Sequence, residues 1–159
     1  MPTRRLWPLR GFYFFSFGGL GALFPFLPLL LQSRGLDPAR IAWVMLAIPL
    51  ANMLVPPLWA AVADMLQARL QLLRLACLGT SLTTLLLLPA RGFAQHLAAV
   101  ALFSFFRAPL TTLGDAATYE ASEGRHASYS TVRVFGSMGF ATLVLTLGAL
   151  QASQYPKRL

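Results

Sequence analysis

Five apolar runs, each near the twenty residues a helix needs to cross a bilayer, follow one another along this chain with short connectors between them. They cover about 11–32, 41–63, 72–88, 95–118 and 132–150. The connectors are "SRGLDPAR", "DMLQARLQ", "ARGFAQ" and the longer "YEASEGRHASYST". None is long enough for a second domain. Only 11% of the residues are charged, where a soluble domain carries about a quarter. The expected fold is an all-α membrane protein with about five transmembrane helices, adjacent and antiparallel, in a single transmembrane domain over residues 1–159.

The opening "MPTRRLWPLR" followed by apolar sequence has the outline of a signal peptide. The run continues for about twenty residues without a small-x-small cleavage site, so a retained first span is expected. Net charge is +8, from 13 basic and 5 acidic residues. In a soluble protein that balance would point to nucleic acid. Here the arginines gather at the ends of apolar runs, and no basic stripe with interleaved aromatics exists, so the expected partner is the lipid bilayer and not nucleic acid. With the N-terminus cytoplasmic, seven arginines fall inside (Arg4, Arg5, Arg10, Arg69, Arg74, Arg125, Arg133) against three outside (Arg34, Arg40, Arg91). Lys157 and Arg158 in the tail pull the other way and weaken the bias.

The single Cys77 sits inside an apolar run, which removes disulfide and Cys-metal chemistry. His96 and His126 fall in connectors and read as solvated. There is no nucleophile elbow, zinc-helix motif, P-loop or dinucleotide fingerprint in a suitable setting. Asp115, Glu120 and Glu123 do not form a catalytic carboxylate pair, because the last two belong to a polar turn. Neither an enzyme nor a bound cofactor or metal is expected.

Three ionisable residues within apolar runs do need a reason: Arg107, Asp115 and Arg133. A charge near the centre of a membrane helix costs about 2.5–3.5 kcal/mol on insertion scales, so it usually faces a partner or a wet cavity. Asp115 and Arg133 are each nine residues from Gly124, in the turn between the last two runs. An antiparallel hairpin would place them at similar depth, about 13 Å in, where opposite charges can pair. The bland alternative stays open: Arg133 snorkels to the interface and Asp115 caps its helix end. Arg107 lies eight residues before Asp115, about 12 Å further along the same helix. A cation at that depth suggests an anionic ligand, an aqueous cavity or an acid from a missing segment.

Proline is frequent within the runs, at Pro25, Pro28, Pro49, Pro56, Pro57 and Pro109. Neighbouring helices tolerate such residues, and kinked helices can also line a cavity that changes shape; both readings stand. Gly18, Gly19, Gly21, Gly136 and Gly139 read as small surfaces for close helix contact. Asn52, Thr111, Thr112 and Thr118 read as helix–helix hydrogen-bonding groups.

At this point the residues resemble a family. "FYFFSFGGLGALFPFLPLLL" looks like the opening of the oligosaccharide/proton symporter-like branch of the major facilitator superfamily, the branch of lactose permease and the phenylpropionate permease-like group. "PPLWAAVADMLQAR" takes the place of the loop usually written G-x-x-x-D-R-x-G-R; Asp64 matches the acid, while Ala60, Met65 and Gln67 depart from the pattern. "YSTVRVFGSMGF" is similar to the start of helix five in this branch, and "GDAAT" to the acidic motif of helix four. The resemblance implies that Asp115 and Arg133 are a substrate-contacting charge pair and that Asp64 belongs to a conformational loop motif. It covers nearly the whole chain but about five of the family's twelve helices.

The function so implied is the N-terminal part of a secondary active transporter, moving a small polar or anionic organic solute by proton symport. Arg107 would assist if the solute is an anion. The expected partners are that solute, protons, and a missing C-terminal half or partner chain that completes the cavity; the expected place is the cell membrane. A truncated chain is the simplest account of the short length. The rival is a non-transporting truncated membrane protein or an assembly or regulatory subunit.

Overall fold

A computed structural model describes residues 3–122 and 126–154; the side chains at 3–5, 126–128 and 152–154 are not described. The pivot Gly124 and the tail 155–159 lie outside the described residues. Among the described residues every regular element is an α-helix: α1 (Thr3–Leu23), α2 (Leu27–Ser33), α3 (Pro38–Leu66), α4 (Arg69–Leu85), α5 (Gly92–Arg107), α6 (Pro109–Ala121) and α7 (His126–Gln154).

The helices outrun the apolar stretches that announced them, because their ends are capped in polar sequence. Asp37 precedes α3 in an extended conformation, and its carboxylate accepts from the Arg40 backbone N–H at 3.0 Å, with Pro38 at the first helical position. The Arg91 backbone N–H donates to the Gln95 side chain at 2.7 Å where α5 begins. Proline then acts in two ways. Pro25 and Pro109 interrupt helices, separating α1 from α2 and α5 from α6, since neither offers an N–H and each ring crowds the preceding turn. Pro49, Pro56 and Pro57 stay inside an unbroken α3 of 29 residues.

Four stretches are long and apolar enough to cross a membrane: Leu6–Ser33, Pro38–Leu66, Gly92–Ala121 and Tyr129–Gln151. The fifth expected span, α4, has only 17 residues, about 25 Å of helix. The run "GTSLTT" dilutes it, yet its hydroxyls bond back to the carbonyls four residues earlier: Thr80 to Ala76, Ser81 to Cys77, Thr83 to Gly79 and Thr84 to Thr80, at 2.7–3.0 Å. Such satisfied hydroxyls keep a polar stretch compatible with lipid.

The contacts divide the chain into two compact units, residues 1–27 with 118–159 and residues 28–117. In the first, α1 and α7 pack in parallel. Gly136 faces Tyr13 and Phe17, Gly139 faces the Phe14 backbone, Gly21 faces Phe140 and Val144, and Ala22 and Phe26 share a hollow with Leu147. Residue numbers rise together along the pair. Two parallel spans in one bilayer require an odd number of crossings between them. The intervening helices are α3, α4 and the α5–α6 rod, and the count is odd when α4 crosses with the other two.

The second unit packs α3, α4 and α5 around aromatic rings. Trp59 on α3 lies 6.0 Å from the Phe106 ring and 5.7 Å from Phe105, edge to face in both cases. Phe106 occupies the space that a side chain at Gly79 on α4 would need. Arg34 ties the connector before α3 to the connector between α4 and α5, donating to the carbonyls of Ala90 at 2.9 Å and Leu88 at 3.2 Å. The protein is thus an all-α, multi-pass membrane protein.

Candidate functional site

Arg133 projects from the second turn of α7, at i+4 from Tyr129 and i−4 from Ser137, so the three share one face of the helix. Its Nη1 donates to the Tyr129 hydroxyl at 3.1 Å, and the guanidinium carbon lies 5.8 Å from the centre of the Tyr129 ring. This holds a long, mobile side chain in one place through a hydrogen bond and a cation–π contact.

Around it opens a cleft of about 380 Å³, lined by Tyr13 and Phe17 of α1 and by Tyr129, Ser130, Arg133 and Ser137 of α7. The Tyr13 and Phe17 rings stack, 6.0 Å apart and 11° from parallel. The parallel packing of α1 and α7 brings these groups together, and Gly136 permits it: a Cβ there would lie 3.1 Å from the Phe17 ring. One face therefore offers guanidinium donors, serine hydroxyls that donate and accept, and flat aromatic surface. That set suits a small solute rich in oxygen.

Asp115 lies in α6, half-buried beside the buried Gly114. It belongs to the second compact unit and Arg133 to the first. Arg107 is 9% exposed and occupies the last turn of α5, two residues before the break at Pro109. Ala108 keeps a helical backbone and Gly92–Ala121 runs on as one membrane-crossing stretch, so Arg107 and Asp115 lie along the same rod.

Asp64 is exposed in the last turn of α3 and forms an ion pair with Arg69 at the start of α4, Oδ1 to Nη2 at 2.7 Å and to Nε at 3.1 Å. The turn between them is a Schellman close: Ala68 N–H bonds the Ala63 carbonyl at 3.2 Å and Gln67 N–H the Asp64 carbonyl at 3.4 Å. Sequence reasoning found Asp64 but missed Arg69 as its mate. The signal was a basic residue just past a helix end, five positions on.

His96 corrects an expectation. It is not a solvated connector residue: α5 begins at Gly92, and His96 is fully buried on the face that also carries Ala99, Val100 and Phe103. Its Nδ1 lies 2.7 Å from the Gly92 carbonyl, while Nε2 is buried with no hydrogen-bond partner among the described residues. Nδ1 must carry a proton to make that bond. His126 likewise opens α7 rather than lying in a connector. Asn52 and Thr112 are exposed, Thr111 is half-buried and Thr118 fully buried. Tyr13, Phe17 and Tyr129 were overlooked because aromatics abound in these runs and only the α1–α7 packing picks out three of them.

Four stretches long and apolar enough to cross a membrane define the class: multi-pass helical membrane proteins. The family description "MFS_1 like family" matches residues 6–157, and the chain belongs to that family of major facilitator superfamily transporters. It is 31% identical to the maltose permease of Geobacillus stearothermophilus over 140 residues, covering 87% of this chain and 36% of that protein. It is 26% identical to the uncharacterized transporter YwbF of Bacillus subtilis (strain 168) over 149 residues, covering 93% of this chain and 37% of that protein. The chain thus spans a little over a third of the length of the curated relatives it matches. No solved structure matches it.

Proposed function

We propose that this chain is the solute-contacting part of a secondary active transporter in the cell membrane, with its N-terminus cytoplasmic, moving a small polar or anionic organic solute by proton symport. The observation that carries the reading is the cleft in which Arg133, Ser130 and Ser137 meet the stacked rings of Tyr13 and Phe17. A sugar-like solute fits best: its hydroxyls take the guanidinium and serine groups, and its C–H face lies on an aromatic ring. Kinship with a maltose permease favours the same choice.

In this reading Asp115 and Arg133 are each solute contacts, the carboxylate accepting from hydroxyls and the guanidinium donating to hydroxyl or carboxylate oxygens. Arg107 adds positive potential for an anion, and Asp64 with Arg69 clasps the connector between α3 and α4 during the transport cycle. Further helices, absent from these residues, complete the cavity in a rocking, alternating-access cycle.

The test is a chimaera in which residues 6–157 replace the matching stretch of the Geobacillus maltose permease, assayed for maltose uptake. Asp115→Asn and Arg133→Gln are each expected to lower uptake at least about tenfold, the scale of a lost hydrogen bond to a charged group. Undiminished uptake in both would remove the site assignment.

A further inference from the structure

Arg10 lies outside the cleft and has no role in the transport reading. It is half-buried in α1, four residues after Leu6 opens the first membrane-crossing stretch, so about 6 Å along the helix. Its guanidinium carbon is 5.2 Å from the Trp7 ring centre and 5.4 Å from that of Phe135 on α7. Its Nε is buried and has no hydrogen-bond acceptor among the described residues. Trp7 is 60% exposed, whereas the neighbouring Leu6 is buried against Tyr13 and Val132.

Two aromatic rings offer a cation their π faces but no oxygen. A side chain that merely snorkelled would reach into water and hydrate all its nitrogens; here the rings cover Nε and fix the stem. What such a cation still calls for is an oxyanion at the outer edge of its fork, which the planar guanidinium can meet with two parallel bonds. Arg10 stands about one turn inside the end of the membrane-crossing stretch, and exposed tryptophan is enriched at such ends.

We infer that Arg10, flanked by Trp7 and Phe135, binds the phosphate of an anionic phospholipid. Arg10 supplies the charge-assisted bonds, and the exposed face of Trp7 supplies apolar contact for the glycerol and upper acyl chain. A free phosphate would use the first and leave the second idle.

The full chain is purified from nanodiscs of phosphatidylcholine with a minor share of phosphatidylglycerol, and co-purifying lipid is counted by native mass spectrometry. Wild type is expected to retain phosphatidylglycerol preferentially. Arg10→Gln should lower that retention about fivefold, the scale of one basic residue at an anionic surface. Arg10→Lys should fall between the two, Trp7→Leu should weaken retention less than Arg10→Gln does, and Arg91→Gln, an exposed connector change, should leave it alone. Millimolar inorganic phosphate should not strip the lipid. Equal retention by Arg10→Gln and wild type, an equal loss in Arg91→Gln, or displacement by free phosphate would each overturn the inference. If Arg10→Gln does not purify folded, unchanged retention in both Arg10→Lys and Trp7→Leu would overturn it as well.

Discussion

Gln67 holds a φ of 49° and ψ of 35°, a left-handed conformation that costs a side-chain-bearing residue about 1–2 kcal/mol. It does so at the position where the resembling loop pattern carries its second glycine. The amide offsets part of the strain by donating to the Asp64 carbonyl at 2.7 Å. Gln67→Gly relieves the strain but frees the unfolded chain, so thermal unfolding in detergent should show a net gain of about 0.5–1 kcal/mol. A loss of stability instead would mean the amide bond outweighs the backbone strain. The adjoining Asp64–Arg69 pair is exposed and contributes little to stability, about 0–1 kcal/mol. Asp64 was legible in the sequence through its motif; its mate was not, because ion pairing depends on how tightly the turn closes. Arg133 was legible as a cation near the start of a span, whereas Tyr129 became visible as its support only through the hydrogen bond between the two side chains.

At the scale of elements, the α1–α7 contact depends on a backbone approach that only glycine allows. A Cβ at Gly139 would collide with the backbone of Phe14, and one at Gly21 would lie 2.8 Å from the Phe140 carbonyl oxygen. Gly19, in the same run, has open space around it. Gly139→Val should therefore destabilise the protein by about 1–3 kcal/mol, as overpacking does elsewhere, while Gly19→Ala should cost nothing measurable; melting curves of the two variants check this. Comparable losses in both would mean general intolerance of larger side chains rather than a close contact. The sequence marked all these glycines alike as packing surface. It could not rank them, since rank depends on which face of α1 meets α7. Proline was similarly ambiguous: Pro25 and Pro109 break their helices and the three prolines of α3 do not, a difference set by surrounding packing. His96 was misread because a polar side chain at the edge of an apolar run resembles a connector residue, whereas α5 begins at Gly92 and turns it to the buried face.

Across the whole molecule, the parallel course of α1 and α7 carries the topology. It requires an odd number of crossings between them, a count that is met when α4 crosses along with α3 and the Gly92–Ala121 stretch, although length and composition alone leave four candidates. Helix number and order were readable from the apolar runs because lipid demands about twenty residues per crossing. Pairing between helices was not, since every span is apolar on more than one face. The same pairing builds the cleft, and the central claim is that a transported solute enters it. Solute protection tests this most directly. In the maltose permease chimaera with Cys77→Ser, single cysteines at Ser130, Ser137 and the exposed Met138 are labelled with a water-soluble maleimide, with and without maltose. The expected result is slower labelling at Ser130→Cys and Ser137→Cys when maltose is present, and no change at Met138→Cys. Labelling that ignores maltose at both cleft positions, in a chimaera that still transports it, would contradict the account.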